Sequence, residues 1–340
     1  MNTNLPGLFF LAPMAEVTTP ALRQVVGRLS PGVVLCSEML SAGAVATDAA
    51  RNRHMQYRYH FDDPYVYQLL GNEPGVMAEA CRRLTETGCA SIDINMGCSA
   101  PDIVKTGSGA ALLKNIRHAR EIVRRCREAA TCMLSVKMRS GFARSDIDYI
   151  IDFARMLEDE GVNYITMHPR HGKMAFRRKA DWDITQTLAG SVNIPVVGNG
   201  DIISSSQAVS RLRQWSCAAI MIGRGAVTEP WIFSVSSDIL NDRKSLRVYN
   251  IHKIWLEVLS GIRTFLPRHL HKSRAHRFCF YYSKNVTFHH QLFTGIRNVD
   301  KISHMQEIIN EYFFRNPAEA WKEINTGDGR INETDKIYKR

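Results

Sequence analysis

The 340-residue sequence lacks the features that mark several specialised protein classes. Its eight cysteines form no CxxC pair and follow no metal-ligand spacing, which argues against structural zinc and against a disulfide scaffold. No basic leader is visible, and the apolar run at 8–14 is too short to cross or enter a membrane. We therefore expect a cytoplasmic, reduced protein with no metal site and no membrane partner.

Acidic residues are scarce relative to basic ones. The chain has 44 Lys and Arg against 33 Asp and Glu, a net charge of +11. Residues 241–340 contribute +8 of this, with 18 Lys and Arg against 10 Asp and Glu. Such a surplus suggests a polyanionic partner, although many basic proteins bind no nucleic acid.

Short apolar runs alternate with longer amphipathic segments through the first two-thirds of the chain. The runs have four or five residues, short enough for strands that are buried on both faces. They lie at 8–12, 33–37, 66–70, 91–94, 133–137, 164–167, 195–198 and 218–222. Eight strand–helix repeats predict an α/β fold of the (β/α)₈ barrel type, with a doubly wound sheet as the competing interpretation.

The alternation stops after residue 233, and only the helical period continues. The pattern predicts helices at 248–265, 272–282, 300–313 and 317–324, with no convincing strand. We therefore predict a barrel domain at 1–234, a small all-helical domain at 235–325 and a flexible polar tail at 326–340.

The seventh and eighth predicted strands both end in glycine turns, Asn199-Gly200-Asp201 and Gly223-Arg224. Functional groups of a barrel stand at the carboxyl ends of its strands, and glycine lets backbone N–H groups approach an anion closely. Two such loops together with Arg224 predict a phosphate site. The alternative is that the glycines only turn the chain.

Other strand ends carry groups suited to flavin mononucleotide (FMN). Lys137 follows an apolar run, so its ammonium is expected inside the barrel, where it would stabilise a reduced flavin, rather than on the surface. Gln68 is predicted to hydrogen-bond the polar rim of the ring, and Met14 to pack against it. His168 is predicted to contact flavin or substrate, with a structural imidazole as the alternative. Arg170 is expected to be exposed beside it and is predicted to bind substrate.

Cys98 lies beyond the fourth predicted strand, between Gly97 and Ser99. A cysteine near a strand end is most often a small buried hydrophobe, but this polar loop gives it no core to join. An ordinary thiol, with a pKa of about 8.5, stays mostly protonated at neutral pH. Cys98 is therefore predicted to be a general acid rather than a nucleophile.

The segment 263–284 combines six basic residues with five interleaved aromatic residues and has no acid. Basic groups can contact phosphates, and aromatic faces can stack on bases, although most aromatic residues of a small helical domain should form its core. We predict an RNA contact here, with Arg274 and Arg277 in it.

Residues 93–99 read Asp-Ile-Asn-Met-Gly-Cys-Ser, and a Gly-rich, Lys-bearing loop follows. This block closely resembles the signature of the tRNA-dihydrouridine synthases, flavoenzymes that reduce uracil in tRNA. The strand ends between 8 and 233 are similar to the family's motifs in order and spacing. Ser99 replaces the family's usual proline, which removes a fixed φ and is expected to loosen the loop.

The resemblance implies an FMN-containing barrel followed by a helical domain that grips tRNA, and we expect a monomer. It implies that NADPH reduces the flavin, that the flavin passes hydride to C6 of uracil, that Cys98 protonates C5 and that Asn95 contacts the base. No dinucleotide-binding motif is visible, so NADPH depends on the resemblance alone. The resemblance assigns FMN binding to Pro13, Met14, Ala15, Gln68, Lys137, His168, Asn199, Gly200, Asp201, Gly223 and Arg224.

Two other functions are compatible with parts of the sequence. A flavin barrel acting on a small pyrimidine-like or enone metabolite would explain the flavin motifs but not the basic segment near the C-terminus. A non-enzymatic RNA-binding protein on a decayed barrel would not need the intact set of Cys98, Lys137 and His168.

Overall fold

The computed structural model describes residues 5–50, 53–59, 62–174 and 178–326. Within these ranges eight parallel strands close into a barrel in sequential order, and the eighth pairs with the first. The predicted (β/α)₈ barrel is confirmed. The strands are β1 (Phe9–Leu11), β2 (Val34–Ser41), β3 (Tyr65–Leu70), β4 (Ser91–Met96), β5 (Met133–Arg139), β6 (Tyr164–His168), β7 (Val196–Asn199) and β8 (Ala219–Ile222).

Helices follow the strands and cover the outside of the barrel. Local sequence sets their ends: the Asn115 side chain accepts a hydrogen bond from the N–H of His118 and caps the helix that begins at Ile116. The helices of this part are α1 (Pro20–Leu29), α2 (Ala42–Ala46), α3 (Arg53–Gln56), α4 (Pro74–Thr85), α5 (Pro101–Lys105), α6 (Ile116–Ala129), α7 (Ile147–Asp159), α8 (Trp182–Ala189), α9 (Ser205–Gln214), α10 (Arg224–Thr228) and α11 (Ile232–Leu240). A 3₁₀ turn spans Gly109–Lys114.

The barrel interior has an apolar side and a polar side. β1, β2, β7 and β8 contribute most of an apolar cluster that includes Phe10 and Met221. β3, β4 and β5 instead direct buried polar residues inward, among them Gln68, Asp93 and Ser135, which are hydrogen-bonded to one another. The polar side therefore supports the functional strand ends above it.

The C-terminal region continues the hydrophobic core of the barrel, because its first long helix packs against α1. α11 crosses the predicted boundary at 234/235, and the assignment of 235–325 to RNA binding stays a prediction. The helices here are α12 (Ile251–Phe265), α13 (His271–Tyr282), α14 (His289–Arg297) and α15 (Ile302–Arg315), with 3₁₀ turns at Arg268–Leu270, Ser283–Asn285 and Pro317–Ala320. None of the described helices is long and apolar enough to span a membrane.

Two strands in this region correct the prediction of an all-helical segment. β9 (Leu246–Asn250) pairs antiparallel with β10 (Trp321–Asn325), so the predicted helix at 317–324 is wrong beyond its first turn. The partners lie more than 70 residues apart, and a local periodicity does not report such a pairing. The backbone N–H of Thr326 donates a hydrogen bond to the carbonyl of Ser245 at 2.9 Å. Residues 327–340 of the predicted tail lie outside the described ranges.

A buried ion pair joins α1 to the segment before β3. Arg23 and Asp62 have no exposed side-chain surface, and Arg23 Nε lies 3.8 Å from Asp62 Oδ2. Arg23 also donates hydrogen bonds to the carbonyls of Thr18 and Tyr57. This one guanidinium therefore connects three parts of the chain.

Replacing Arg23 with methionine should destabilise the fold strongly, because Asp62 would keep a buried charge without its cation. We expect a loss of about 3–5 kcal/mol in the free energy of unfolding, measured by urea denaturation. Arg28→Met is the matched control: the Arg28–Glu257 pair is half exposed, so its loss should cost less than about 1 kcal/mol. Equal losses in the two variants would contradict this account.

Candidate functional site

A cavity of about 610 Å³ opens at the carboxyl ends of the barrel strands. Ligand pockets usually occupy about 300–1,000 Å³, so the volume suits a small organic ligand. α13 contributes Arg277 and Tyr281 to the wall. The predicted site residues that line the cavity are Pro13, Met14, Ala15, Asn95, Cys98, Lys137, His168, Arg170, Asn199, Gly200, Asp201, Gly223, Arg224 and Arg277.

Two predicted site residues are not part of the cavity wall. Gln68 is fully buried, and its register partner on β4 is Asp93, one inward-facing position below Asn95. Its amide is hydrogen-bonded to both of these residues, and its contact with the flavin stays a prediction. Arg274 is also outside the wall, and its guanidinium is paired with Glu16.

Hydrogen bonds hold the Cys98 loop from several directions. Asn95 Oδ1 accepts from the N–H groups of Gly97 and Cys98 at 3.1 and 2.9 Å, and the Cys98 carbonyl accepts from Ala110 at 2.8 Å. Arg139, which the sequence analysis did not single out, donates to the Gly97 carbonyl at 2.7 Å. Cys98 is half-buried in the cavity wall, so its backbone is held while its side chain stays accessible.

Lys137 and Asp93 carry opposite charges on neighbouring strands of the polar side of the barrel. Loss of hydration lowers the pKa of Lys137 to about 8, with the Asp93 charge opposing the shift. Burial raises the pKa of Asp93 to about 6, while hydrogen bonds from Gln68 and Ser135 and the charge of Lys137 oppose that shift. Both groups are therefore mostly charged at pH 7.

His168 is a neutral imidazole. Burial lowers its pKa well below the usual value, and four cations at the site lower it further. Its Nε2 lies 3.2 Å from Arg170 Nη1, so this nitrogen accepts and the proton belongs on Nδ1. The four cations are Lys137, Arg139, Arg170 and Arg224.

Arg170 is buried, which corrects the expectation that it would be exposed. Only 1% of its surface is accessible. Its Nη2 donates to both Asp201 oxygens at 2.8 and 2.6 Å, and its Nε donates to the Arg178 carbonyl at 2.8 Å. Asp201 also accepts from the N–H of Ala180. Arg170 therefore ties the loop after β6 to the loop after β7.

The two glycine turns approach the wall too closely for a larger residue. A Cβ on Gly200, which has φ +133°, would lie 3.0 Å from the His168 ring. A Cβ on Gly223 would lie 3.1 Å from Met14 Sδ. Beside them the half-exposed Arg224 faces Asp201 at 3.4 Å. The turns thus form a narrow recess with a cation at its edge.

Glu16 joins the loop after β1 to α13. Its carboxylate pairs with Arg274 at 3.0 Å and with Arg277 at 2.6 Å. Its backbone N–H donates to Glu38 at 2.6 Å, and burial raises the pKa of that carboxyl. No sequence pattern marks Glu16 as a site residue, although it directly follows the Pro-Met-Ala turn. The contact fixes where α13 stands over the cavity.

Comparison with known proteins identifies close similarity along most of the chain. A family model described as dihydrouridine synthase (Dus) matches residues 10–316. A probable tRNA-dihydrouridine synthase of Rickettsia conorii is 35% identical over 234 residues, 68% of this chain and 70% of the relative. The tRNA-dihydrouridine synthase B of Pseudomonas aeruginosa is 31% identical over 264 residues, 77% of this chain and 79% of the relative.

Solved structures share the fold at low sequence identity. A 2-naphthoyl-CoA reductase in complex with 2-naphthoyl-CoA aligns with a TM-score of 0.51 and 9% identity over 69% of this chain and 50% of the other. Histamine dehydrogenase from Rhizobium sp. 4-9 aligns with a TM-score of 0.50 and 14% identity over 76% of this chain and 49% of the other. These similarities concern the barrel fold alone.

Gly109 offers a test of how the Cys98 loop is held. It has φ +63°, and a Cβ there would lie 2.5 Å from the Cys98 carbonyl oxygen. Gly109→Ala should therefore displace the loop, increase the rate at which iodoacetamide alkylates Cys98, and cost about 1–3 kcal/mol of stability. Peptide mass spectrometry measures the alkylation.

Gly88→Ala is the control for this substitution. Gly88 has φ +70°, but a Cβ there would meet nothing within 4 Å. Gly88→Ala should lose stability because alanine disfavours a positive φ, and its Cys98 alkylation rate should stay at the native value. An unchanged Cys98 alkylation rate in Gly109→Ala would mean that the loop does not depend on this contact.

Proposed function

The chain belongs to the dihydrouridine synthase family, and we propose that it reduces uridine to 5,6-dihydrouridine in tRNA, with FMN as cofactor and NADPH as reductant. The observation that carries the proposal is the shared cavity: Cys98 and Lys137 line it together at the barrel mouth, and α13 of the basic C-terminal region lines it too. An enzyme for a small metabolite would not need that helix at its entrance.

The residues of the cavity fit FMN. The recess at Gly200 and Gly223 can admit a phosphate against backbone, with Arg224 to balance its charge. Lys137 supplies a cation to a reduced ring, and Met14 supplies an apolar surface beside the recess. FMN when bound supplies hydride transfer to C6 of the uracil.

Cys98 delivers the proton that the reaction requires at C5. Saturating the C5–C6 double bond needs a hydride at one carbon and a proton at its neighbour. The hydrogen bonds with Asn95 and Ala110 hold the Cys98 backbone, so the thiol is positioned before the base arrives. Neutral His168 and charged Lys137 remain as polar contacts for the ring systems.

The tRNA approaches over α13. Arg277 and Tyr281 line the cavity, and the wider basic segment is placed to contact phosphates. The target base must leave its stack to reach Cys98, which costs a few kcal/mol and is cheapest in a loop. NADPH uses the same opening before tRNA binds, and the enzyme acts as a monomer.

The proposal is tested by mass spectrometry of nucleosides after the purified protein is mixed with NADPH and unmodified tRNA. Dihydrouridine should form only when both are present. Cys98→Ala should keep the flavin and its reduction by NADPH but lose about 10²–10⁴-fold in turnover on tRNA. Cys132→Ala, which changes a half-buried cysteine outside the cavity, is the control.

Each failure has a separate meaning. A colourless protein that forms no dihydrouridine would rule out the flavoenzyme. A yellow protein that oxidises NADPH without modifying tRNA would favour a small-molecule substrate. Normal turnover by Cys98→Ala would rule out the proton-donor role.

The pKa of Lys137 predicts an alkaline limit to activity. Its lowered pKa of about 8 means that the ammonium is charged below that pH and lost above it. The rate at saturating tRNA should therefore fall above about pH 8. Lys137→Arg keeps a charged group, so its alkaline limb should move upward even if its maximal rate is lower. An identical limb in both proteins would show that another group causes the fall.

A further inference from the structure

An unbroken chain of hydrogen bonds runs from a buried carboxylate to the Cys98 loop. Gln68 Nε2 donates to Asp93 Oδ2 at 2.6 Å, and Asn95 Nδ2 donates to Gln68 Oε1 at 2.8 Å. Asn95 Oδ1 then accepts from the backbone N–H groups of Gly97 and Cys98. We call Asp93, Gln68 and Asn95 the amide relay.

The two ends of the relay dictate its direction. An ionised carboxylate at Asp93 only accepts hydrogen bonds, and the backbone N–H of Cys98 only donates them. Each amide between them has one donor end and one acceptor end. A single orientation of Gln68 and Asn95 satisfies every bond, and turning either amide over would place two donors or two acceptors face to face.

We infer that Asp93 is a positioning residue, which orients both amides of the relay and thereby holds the Cys98 loop for proton delivery. The inference rests on the proposed function for the role of Cys98. The relay itself rests on the contacts alone. Asp93 does not line the cavity, so its effect on the Cys98 loop passes through Gln68 and Asn95.

Burial of the Asp93 charge is balanced by its surroundings. The side chain is 4% exposed, and a buried carboxylate is costly unless it is hydrogen-bonded and paired. Ser135 Oγ donates to its second oxygen at 2.7 Å. Lys137 is the register partner of Asn95 on the neighbouring strand and provides the opposite charge. Asp93 can therefore act as a fixed acceptor at neutral pH.

Moving the negative charge from position 93 to position 68, its neighbour in the hydrogen-bond chain, tests the relay. Gln68→Glu alone places a carboxylate against the Asp93 carboxylate, so the two groups repel each other or share a proton. The hydrogen bond that orients the Asn95 amide is then disturbed. Adding Asp93→Asn restores the pattern. The new amide at position 93 donates to the new carboxylate at position 68, which accepts from Asn95, and Ser135 donates to the oxygen of the new amide. The double variant has the same net charge as the native protein.

The full-length flavoprotein is assayed for dihydrouridine formation and for Cys98 alkylation by iodoacetamide. Gln68→Glu should lower kcat by about tenfold to about a hundredfold, with a smaller change in KM for tRNA, and should speed Cys98 alkylation. Gln68→Glu/Asp93→Asn should return the Cys98 alkylation rate to within about threefold of native. Because Gln68 is also a predicted flavin contact, the alkylation rate and not kcat decides the rescue. Cys132, half-buried and outside the cavity, is the internal alkylation control.

Two results would overturn the relay. One is a Gln68→Glu variant with native kcat and native Cys98 alkylation. The other is a double variant that melts like the native protein but whose Cys98 is alkylated as fast as in the single variant. If the native protein forms no dihydrouridine, the proposed function fails, and the alkylation rates of the same variants still decide whether the relay holds the loop.

Discussion

Opposite charges on neighbouring strands, Asp93 on β4 and Lys137 on β5, lie within an otherwise closed and largely apolar barrel. Each charge is costly to bury alone, and each limits the pKa shift that burial imposes on the other. Because both stay charged at neutral pH, the barrel provides a cation at the cavity wall and a fixed acceptor below it. The amide relay and the Cys98 loop depend on this arrangement, and the charge of Lys137 adds to burial and to three arginines in keeping His168 neutral.

Different strand ends form different parts of the cavity wall. The β7 and β8 turns form a recess that a Cβ would fill, β4 and β5 carry the reactive side of the cavity, and α13 closes its outer edge through Glu16. The buried Arg170 connects the loop after β6 to the loop after β7. The cavity is thus assembled from short segments whose relative positions are set by the barrel beneath them, as is usual for this architecture.

Much of the barrel could be predicted because its information is local. Runs of Val and Ile with helical segments between them predict buried parallel strands at almost the observed positions. Residues in the outward turns, such as Cys98 and Arg224, line one cavity because the strand ends share one rim. Contacts between distant segments were not predicted: β9 and β10, the burial of Arg170 and the pairing of Glu16 with α13 depend on residues far apart in the chain.

The order of strands and helices, the excess of positive charge and the residues at the barrel mouth can be derived from the amino-acid sequence. They follow from periodicity, composition and the direction of each strand. Which of those residues face the cavity and which lie behind them depends on the folded arrangement. Gln68 is the clearest case: strand register places it level with Asp93, so its amide is hydrogen-bonded to that buried carboxylate. Burial and hydrogen-bond partners arise from neighbours that the fold brings together, and a linear pattern does not contain them.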